Sequence, residues 1–445
     1  MRLTLRKFLI FLLVFASLIP NIGIKVNTFG FNWTLYRASI VVGIFLFMQL
    51  SKNRERLIPR PPCKWWITLM GWWILYGIVL LIVSPYKDLH KGFVELMSLF
   101  NGLVCIWILT SVLQEARDLE QIISIVQVVF MALVVWGCIE CLTGIHLPMS
   151  IFRDDNIVRH VSQYSATGIF YGENDFSAFL TCLLPIMFYR KRGRLLSIFM
   201  ALGVIYICYI NDANICLMAL MVGVGYYFIF IKKYGKNRGI IVRCCLLTLV
   251  IGLLMYIWIN LKELAKSSNL LFVIYTQYSN ISLSSGSMYS RIVIYLDSLK
   301  AAVYTFFLGI GPSAFSNYFY TYPSKSGLVN PHNLYLEMLV EYGLIITVAF
   351  VAGLIKMIHG LRRKAIGCHN KSVRLKYIAG CEMLVMYSMV CIAPSSFIGY
   401  AWQWIILTIG IALLGTAQEK LVASSQKVQC YVPKRTGYMD LIRTV

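Results

Sequence analysis

Long apolar runs, broken by short polar segments, set the rhythm of this chain. A membrane-crossing helix needs roughly 20 predominantly apolar residues. By that measure twelve spans are expected, near 8–23, 33–50, 65–83, 92–113, 122–143, 174–189, 195–210, 214–231, 239–260, 334–358, 377–392 and 397–415. Arg2, Arg6 and Lys7 precede the first run in the manner of a signal peptide. No small-residue cleavage site follows, so the run is read as an anchor. The pattern divides the chain into 1–260 with nine helices and a polar loop at 144–173, a long polar segment 261–333, three helices over 334–415, and a tail 416–445.

The long segment keeps some periodicity of its own. Over 289–307, Ile292, Leu296, Leu299, Val303 and Phe306 fall on one helical face, with Asp297, Ser298, Lys300 and Tyr304 mostly on the other. Such a helix would lie along the membrane surface or cap the bundle. Arg291 sits in its first turn. Asn330-Pro331-His332-Asn333 reads as a helix start, with Asn330 as cap and Pro331 as the first helical residue. His332 would then occupy a first turn, where the dipole disfavours extra positive charge and favours neutral imidazole, the form a general base needs. Glu337 and Glu341 follow on one face, Glu341 already inside the apolar run, where an ionisable group usually has a partner. Gly309 and Gly311 suit a tight turn after the loop helix.

The loop 144–173 ends in Thr167-Gly168-Ile169-Phe170-Tyr171-Gly172-Glu173-Asn174-Asp175-Phe176. This is either a glycine turn with a helix cap or one wall of a cavity, and the residues alone do not choose.

Composition agrees with the spans. Hydrophobic residues make up 59% and charged residues 13%, against about a quarter charged in soluble domains. Net charge is +22, and its placement is more informative than its size. With the N-terminus inside, interior segments hold 30 of the 41 Lys and Arg and exterior segments 11. That bias puts both termini in the cytoplasm and 261–333 outside. The basic clusters are short membrane-flanking loops that meet anionic lipid, not a nucleic-acid surface. None of the 13 cysteines falls in an expected exterior loop, which argues against a disulfide framework or a zinc site.

Ser290-Arg291, Gly309-Ile310-Gly311, His332-Asn333-x-Tyr335-Leu336 and Glu341-x-Gly343-Leu344 together resemble the O-antigen ligase and O-antigen polymerase family. Gly168-Ile169-Phe170 with Asn174-Asp175-Phe176 is similar to that family's earlier glycine-asparagine motif. The order of these motifs and the topology carry the resemblance over nearly the whole chain. It implies an all-α polytopic membrane fold of the GT-C glycosyltransferase type, with about twelve helices and a large exterior loop between the ninth and tenth. It implies transfer of a glycan from an undecaprenyl-diphosphate carrier to an acceptor on the outer face of the bacterial cytoplasmic membrane, without a cofactor or an obligatory metal. In the resemblance, Arg291 binds the diphosphate through its planar fork, and His332 takes the proton of the acceptor hydroxyl. Asn174, Asn333, Tyr335, Glu341, Arg159, Gly309 and Gly311 are the expected substrate contacts. Asn333 and Tyr335 act there by positioning or capping. A Ser-Arg pair that many relatives carry at the start of the eighth span is here Asn211-Asp212-Ala213-Asn214. Arg153, Arg159 or Arg37 is left to supply the missing charge.

Polymerisation of lipid-linked repeat units is the first expectation, and ligation to a lipid A core or another terminal acceptor the second. A flippase and a chain-length regulator are the expected protein partners. The rival of another class is a transporter or flippase, which would place polar groups at the bilayer midplane and show a repeat between halves. No such halves are present, and Arg37, Glu95, Glu140 and Asp175 lie toward the outer ends of their spans.

Overall fold

The computed structural model describes residues 2–19, 26–28, 31–52, 61–113, 115–151, 163–189, 193–232, 286–392 and 397–416, with fragments between 260 and 279. Among the described residues its α-helices of seven residues or more are α1 Arg2–Leu18, α2 Leu35–Lys52, α3 Pro61–Val83, α4 Leu89–Val112, α5 Ala116–Thr143, α6 Glu173–Leu183, α7 Arg194–Ile210, α8 Asn214–Tyr226, α9 Gly286–Tyr304, α10 Phe315–Thr321, α11 Leu334–Gly367, α12 Lys371–Val390 and α13 Trp402–Gly415. A tighter helical turn extends α6 over Leu184–Phe188, and a wider one extends α8 over Tyr227–Ile231. One short hairpin, unforeseen in the sequence, pairs β1 Val26–Thr28 with β2 Phe31–Trp33. The expected ninth span, 239–260, lies outside the described residues.

Six helical stretches are long and apolar enough to cross a membrane: Leu35–Lys52, Pro62–Val83, Leu89–Val112, Ala116–Thr143, Asn214–Ile231 and Leu334–Gly367. Arg194–Ile210 and Trp402–Gly415 are apolar but shorter. The chain is a multi-pass membrane protein. α12 packs against α6, α8, α11 and α13 at the centre of the bundle. That central place lets α12 carry charge: Lys376 is buried and pairs with Glu120 of α5. The expected eleventh span began at 377. The observed helix starts at Lys371 because Asn370 caps it, accepting from Ser372 N–H at 3.0 Å and Val373 N–H at 3.2 Å.

Polar contacts gather at the two ends of the bundle. At one end Arg6 meets Asp118 at 3.4 Å, and Tyr189 donates to Glu120 at 3.3 Å. Cations there also cap helix C-termini, where unpaired carbonyls and the negative dipole end face them. Lys364 reaches the Leu414 carbonyl at 2.6 Å, Arg362 the Phe230 carbonyl at 3.3 Å and Arg374 the Ile231 carbonyl at 3.3 Å. The other end carries His332.

α9 and α11 run side by side from the His332 end inward, and the two faces of α9 read from the sequence are differently buried. Ile294, Ser298, Ala301 and Ala302 are buried, while Ile292, Leu296, Leu299, Val303 and Phe306 are exposed. Small residues admit the close approach to α11, and the larger apolar ones are turned outward, toward lipid. The C-terminus of α9 then descends to membrane depth. Phe307 through Gly311 lodge in a break of α11 at Gly343, whose φ is +78° and ψ 178°. The hydrogen bonds that the break frees are exchanged with this segment. Ile310 N–H donates to Val340 O at 2.8 Å and Gly311 N–H to Glu341 O at 2.9 Å. In return Leu344 N–H donates to Phe307 O at 2.9 Å. Irregular backbone survives at membrane depth only when satisfied in this way. Hydroxyls of α3 and the residue after it hold the remaining carbonyls: Tyr76 donates to Leu308 O at 2.6 Å, and Ser84 to Ile310 O.

Candidate active site

The start of α11 is fixed by three neighbours. Asn333 is its N-cap, and its Oδ1 accepts from Tyr335 N–H at 3.0 Å and Leu336 N–H at 3.3 Å. This corrects the expected cap at Asn330 and the expected place of His332 in a first turn. His332 lies one residue before the cap, outside the helix, with a φ of +47°. Asn330 instead closes a local turn, accepting from His332 N–H at 2.9 Å. Leu334 N–H donates to Cys391 O at 2.9 Å, and the Tyr335 hydroxyl donates to Ser388 O at 2.8 Å, so the turn after α12 anchors the whole junction. The Tyr295 hydroxyl of α9 reaches the neighbouring Ile392 carbonyl at 3.5 Å.

That convergence brings Arg291 and His332 together. Arg291 lies in the second turn of α9, because the helix begins at Gly286 rather than at 289. His332 is half-buried, and its pKa is lowered, first by desolvation and second by the charge of Arg291. The neutral imidazole expected from the sequence is therefore favoured here by burial and a neighbouring guanidinium.

The glycine loop 167–172 reaches the same end by another route. Glu140 Oε2 accepts from Thr167 N–H at 2.9 Å and from Gly168 N–H at 2.7 Å. Buried Asn211 accepts from Ala166 N–H at 2.7 Å and donates to Ala166 O at 2.8 Å and Ser177 Oγ at 3.0 Å. Where the family resemblance leads one to expect Ser-Arg, this chain thus has a structural clamp. The loop is a turn and a cap, with Gly172 as the N-cap of α6. Asn174 is half-buried and donates to Glu173 at 3.2 Å. The adjoining Asp175 hydrogen-bonds Tyr400, which in turn lies near Glu337 of α11. Asp175, Tyr400 and Glu337 link the two motif regions. Tyr400 gave no signal in the sequence, since one Tyr before an apolar run has no distinguishing pattern.

Other expected contacts fall elsewhere. Glu341 follows His332 by nine residues and lies seven residues along α11 from Leu334, about 10 Å of helix at 1.5 Å per residue. Its Oε1 accepts from Phe315 N–H at 3.2 Å. Beside it Glu95 of α4 accepts from Ser313 at 2.5 Å and from Tyr342. Gly309 and Gly311, with φ of +95° and +107°, make the turn after α9 and sit with Glu341, away from His332. Arg159 lies outside the described residues. Among the described residues no group of three or more His, Cys, Asp or Glu is arranged to hold a metal.

The stretch from α6 to the first half of α11 contains both Arg291 and His332, and it is this stretch that known families match. Residues 177–351 match the O-antigen ligase family. That match spans the Arg291, Gly309, His332 and Glu341 motifs and supports the resemblance they carry. The chain is also 21% identical over 430 residues to the teichuronic acid biosynthesis protein TuaE of Bacillus subtilis (strain 168), covering 91% of this chain and 83% of that protein.

Proposed function

We propose that this protein polymerises undecaprenyl-diphosphate-linked oligosaccharide repeat units into a cell-surface polysaccharide. It would act at the outer face of the bacterial cytoplasmic membrane, through a twelve-span fold of the GT-C type with both termini inside. The observation that carries this reading is the proximity of Arg291 to a half-buried, neutral-leaning His332 at one end of the bundle. The family match and the teichuronic acid relative support a role in polysaccharide biosynthesis.

In this reading the His332 imidazole accepts the proton of the acceptor hydroxyl as its oxygen bonds to the anomeric carbon. The bond from that carbon to the diphosphate breaks, and its electron pair leaves with the lipid diphosphate. Arg291 neutralises the departing anion with two parallel N–H donors. A diphosphate is already a good leaving group, so the reaction requires no metal on this logic. Asp175, Tyr400 and Glu337 border the same end and offer hydrogen-bond acceptors to sugar hydroxyls. A flippase that delivers the donor and a chain-length regulator are the partners this reading calls for.

The family description as O-antigen ligase favours a second reading, transfer to a lipid A core or another terminal acceptor. Purified protein in lipid nanodiscs, given an undecaprenyl-diphosphate oligosaccharide alone, separates the two. A ladder of longer lipid-linked glycans supports polymerisation. Consumption of donor only when lipid A core is added supports ligation. Movement of intact donor between leaflets with no new glycosidic bond would overturn both and favour a transporter.

A further inference from the structure

α9 and α11 start at the same end, run parallel, and carry Arg291 and His332 near their heads. Sliding one helix past the other would therefore separate the two side chains. A slip of a single turn is about 5.4 Å, larger than any hydrogen-bond tolerance. The contact that prevents such a slip is the backbone exchange at the foot of the pair. It is tight: a Cβ on Gly309 would stand 2.6 Å from Glu341 O, and one on Gly343 would stand 2.4 Å from Phe307 O. Two carboxylates stitch it from the side. Glu341 holds the first N–H of α10, at Phe315, and Glu95 holds Ser313 while accepting from Tyr342. Glu95 and the Oε1 of Glu341 are taken up by this stitching, further along α11 than the His332 end.

We propose that the break in α11 is a register latch, with Glu341 and Glu95 as positioning residues that keep Arg291 opposite His332. The latch rests on the glycan-transfer reading for its purpose but not for its geometry. Glu341 then acts through the fold and touches no substrate. The charged group that acts on His332 is Arg291 of α9; its neighbours Asn330 and Asn333 are uncharged, and Glu337 lies a turn further along α11.

The test uses the full chain in lipid nanodiscs and three readouts. Amide hydrogen exchange over 307–316 reports the latch. The pH dependence of His332 carbethoxylation by diethyl pyrocarbonate, followed peptide by peptide, reports whether Arg291 is still beside it. The rate of glycan transfer reports the consequence. Glu341→Ala is expected to speed exchange at Ile310 and Gly311 and to move the His332 titration up toward the ordinary value of about 6.5. It should also lower kcat/KM roughly 10²-fold, the scale of a 1 Å misplacement. Glu341→Gln keeps an oxygen for Phe315 N–H and should restore all three. The latch is overturned if Glu341→Ala leaves exchange unchanged, or lowers transfer while His332 titrates as in the parent. Should Glu341→Ala fail to insert, Ser313→Ala removes only the bond to Glu95. Smaller changes in the same direction then support the latch, and none overturns it. A parent that transfers no glycan defeats the functional reading alone, because exchange and His332 titration still decide the register.

Discussion

The guanidinium of Arg291 lies close enough to His332 to oppose its protonation, adding to the larger effect of burial. In the glycan transfer proposed above this repulsion serves both groups: the departing anion meets the cation, and the base stays unprotonated next to it.

His332→Ala should leave an inserted protein with little glycan transfer, since general-base assistance is worth about 10²–10⁴-fold. Unextended lipid-linked repeat units should accumulate in cells. Purified variant that extends a lipid-diphosphate oligosaccharide at the parent rate would refute the base assignment.

The pH profile has a defined sign. The His332 pKa is lowered, so the neutral base persists below the ordinary histidine value of about 6.5. Activity should hold as pH falls through that value and decline only below it. A profile already half-lost above 6.5 would contradict the neutral-base reading.

Arg291→Lys and Arg291→Ala separate charge from geometry. Both lose the bidentate fork and should impair turnover. Only Arg291→Ala removes the positive charge, so only it should move the acid limb upward. Normal polymer from both variants, in cells lacking the parent protein, would show the contact to be dispensable.

Much of the architecture was legible from apolar runs alone. α3, α4, α7, α8 and the start of α11 lie within a few residues of their expected places, because lipid-length runs admit little else. The candidate site was legible in part. Arg291 and His332 stood out as polar residues in the longest polar segment, and they are together. The cap was misplaced because both Asn330 and Asn333 are competent; the anchoring of Leu334 on Cys391, a contact distant in sequence, settles it at Asn333. The two faces of α9 were legible, but not which of them packs on protein. Periodicity finds the apolar side of a helix, but in a membrane that side can face lipid while alanine and serine face protein. The roles of Asn211, Glu95 and Tyr400 depend on partners from remote segments and left no local pattern.

Orientation can be read directly. Lys325 and Lys371 are exposed and lie on opposite ends of the bundle. Lys325→Cys should react with an impermeant thiol reagent in intact cells, and Lys371→Cys only after the membrane is opened. The reverse order would invert the topology and place His332 in the cytoplasm.

The ion pair at the opposite end makes a stability prediction. The side chains of Lys376 and Glu120 are 4% and 14% exposed. Lys376→Met leaves Glu120 in a buried setting without its cation and should cost about 3–5 kcal/mol. Glu120→Gln added to Lys376→Met should recover much of that in thermal unfolding in detergent. An unchanged midpoint for Lys376→Met would show the pair to be incidental.

The outward apolar stripe of α9 gives the bilayer itself a hand in the chemistry. Ile292, Leu296, Leu299, Val303 and Phe306 must find hydrocarbon, while the foot of the helix is tied to Gly343 in the span behind it. Lipids of shorter or longer acyl chain change the hydrocarbon thickness available to that stripe, a mismatch relieved by tilting. Because α9 is pinned at its foot, tilt is felt most at its head, where Arg291 stands. Acyl-chain length should therefore tune the rate of this protein with no change in its sequence, and the segment 261–333 should not work as an excised water-soluble piece.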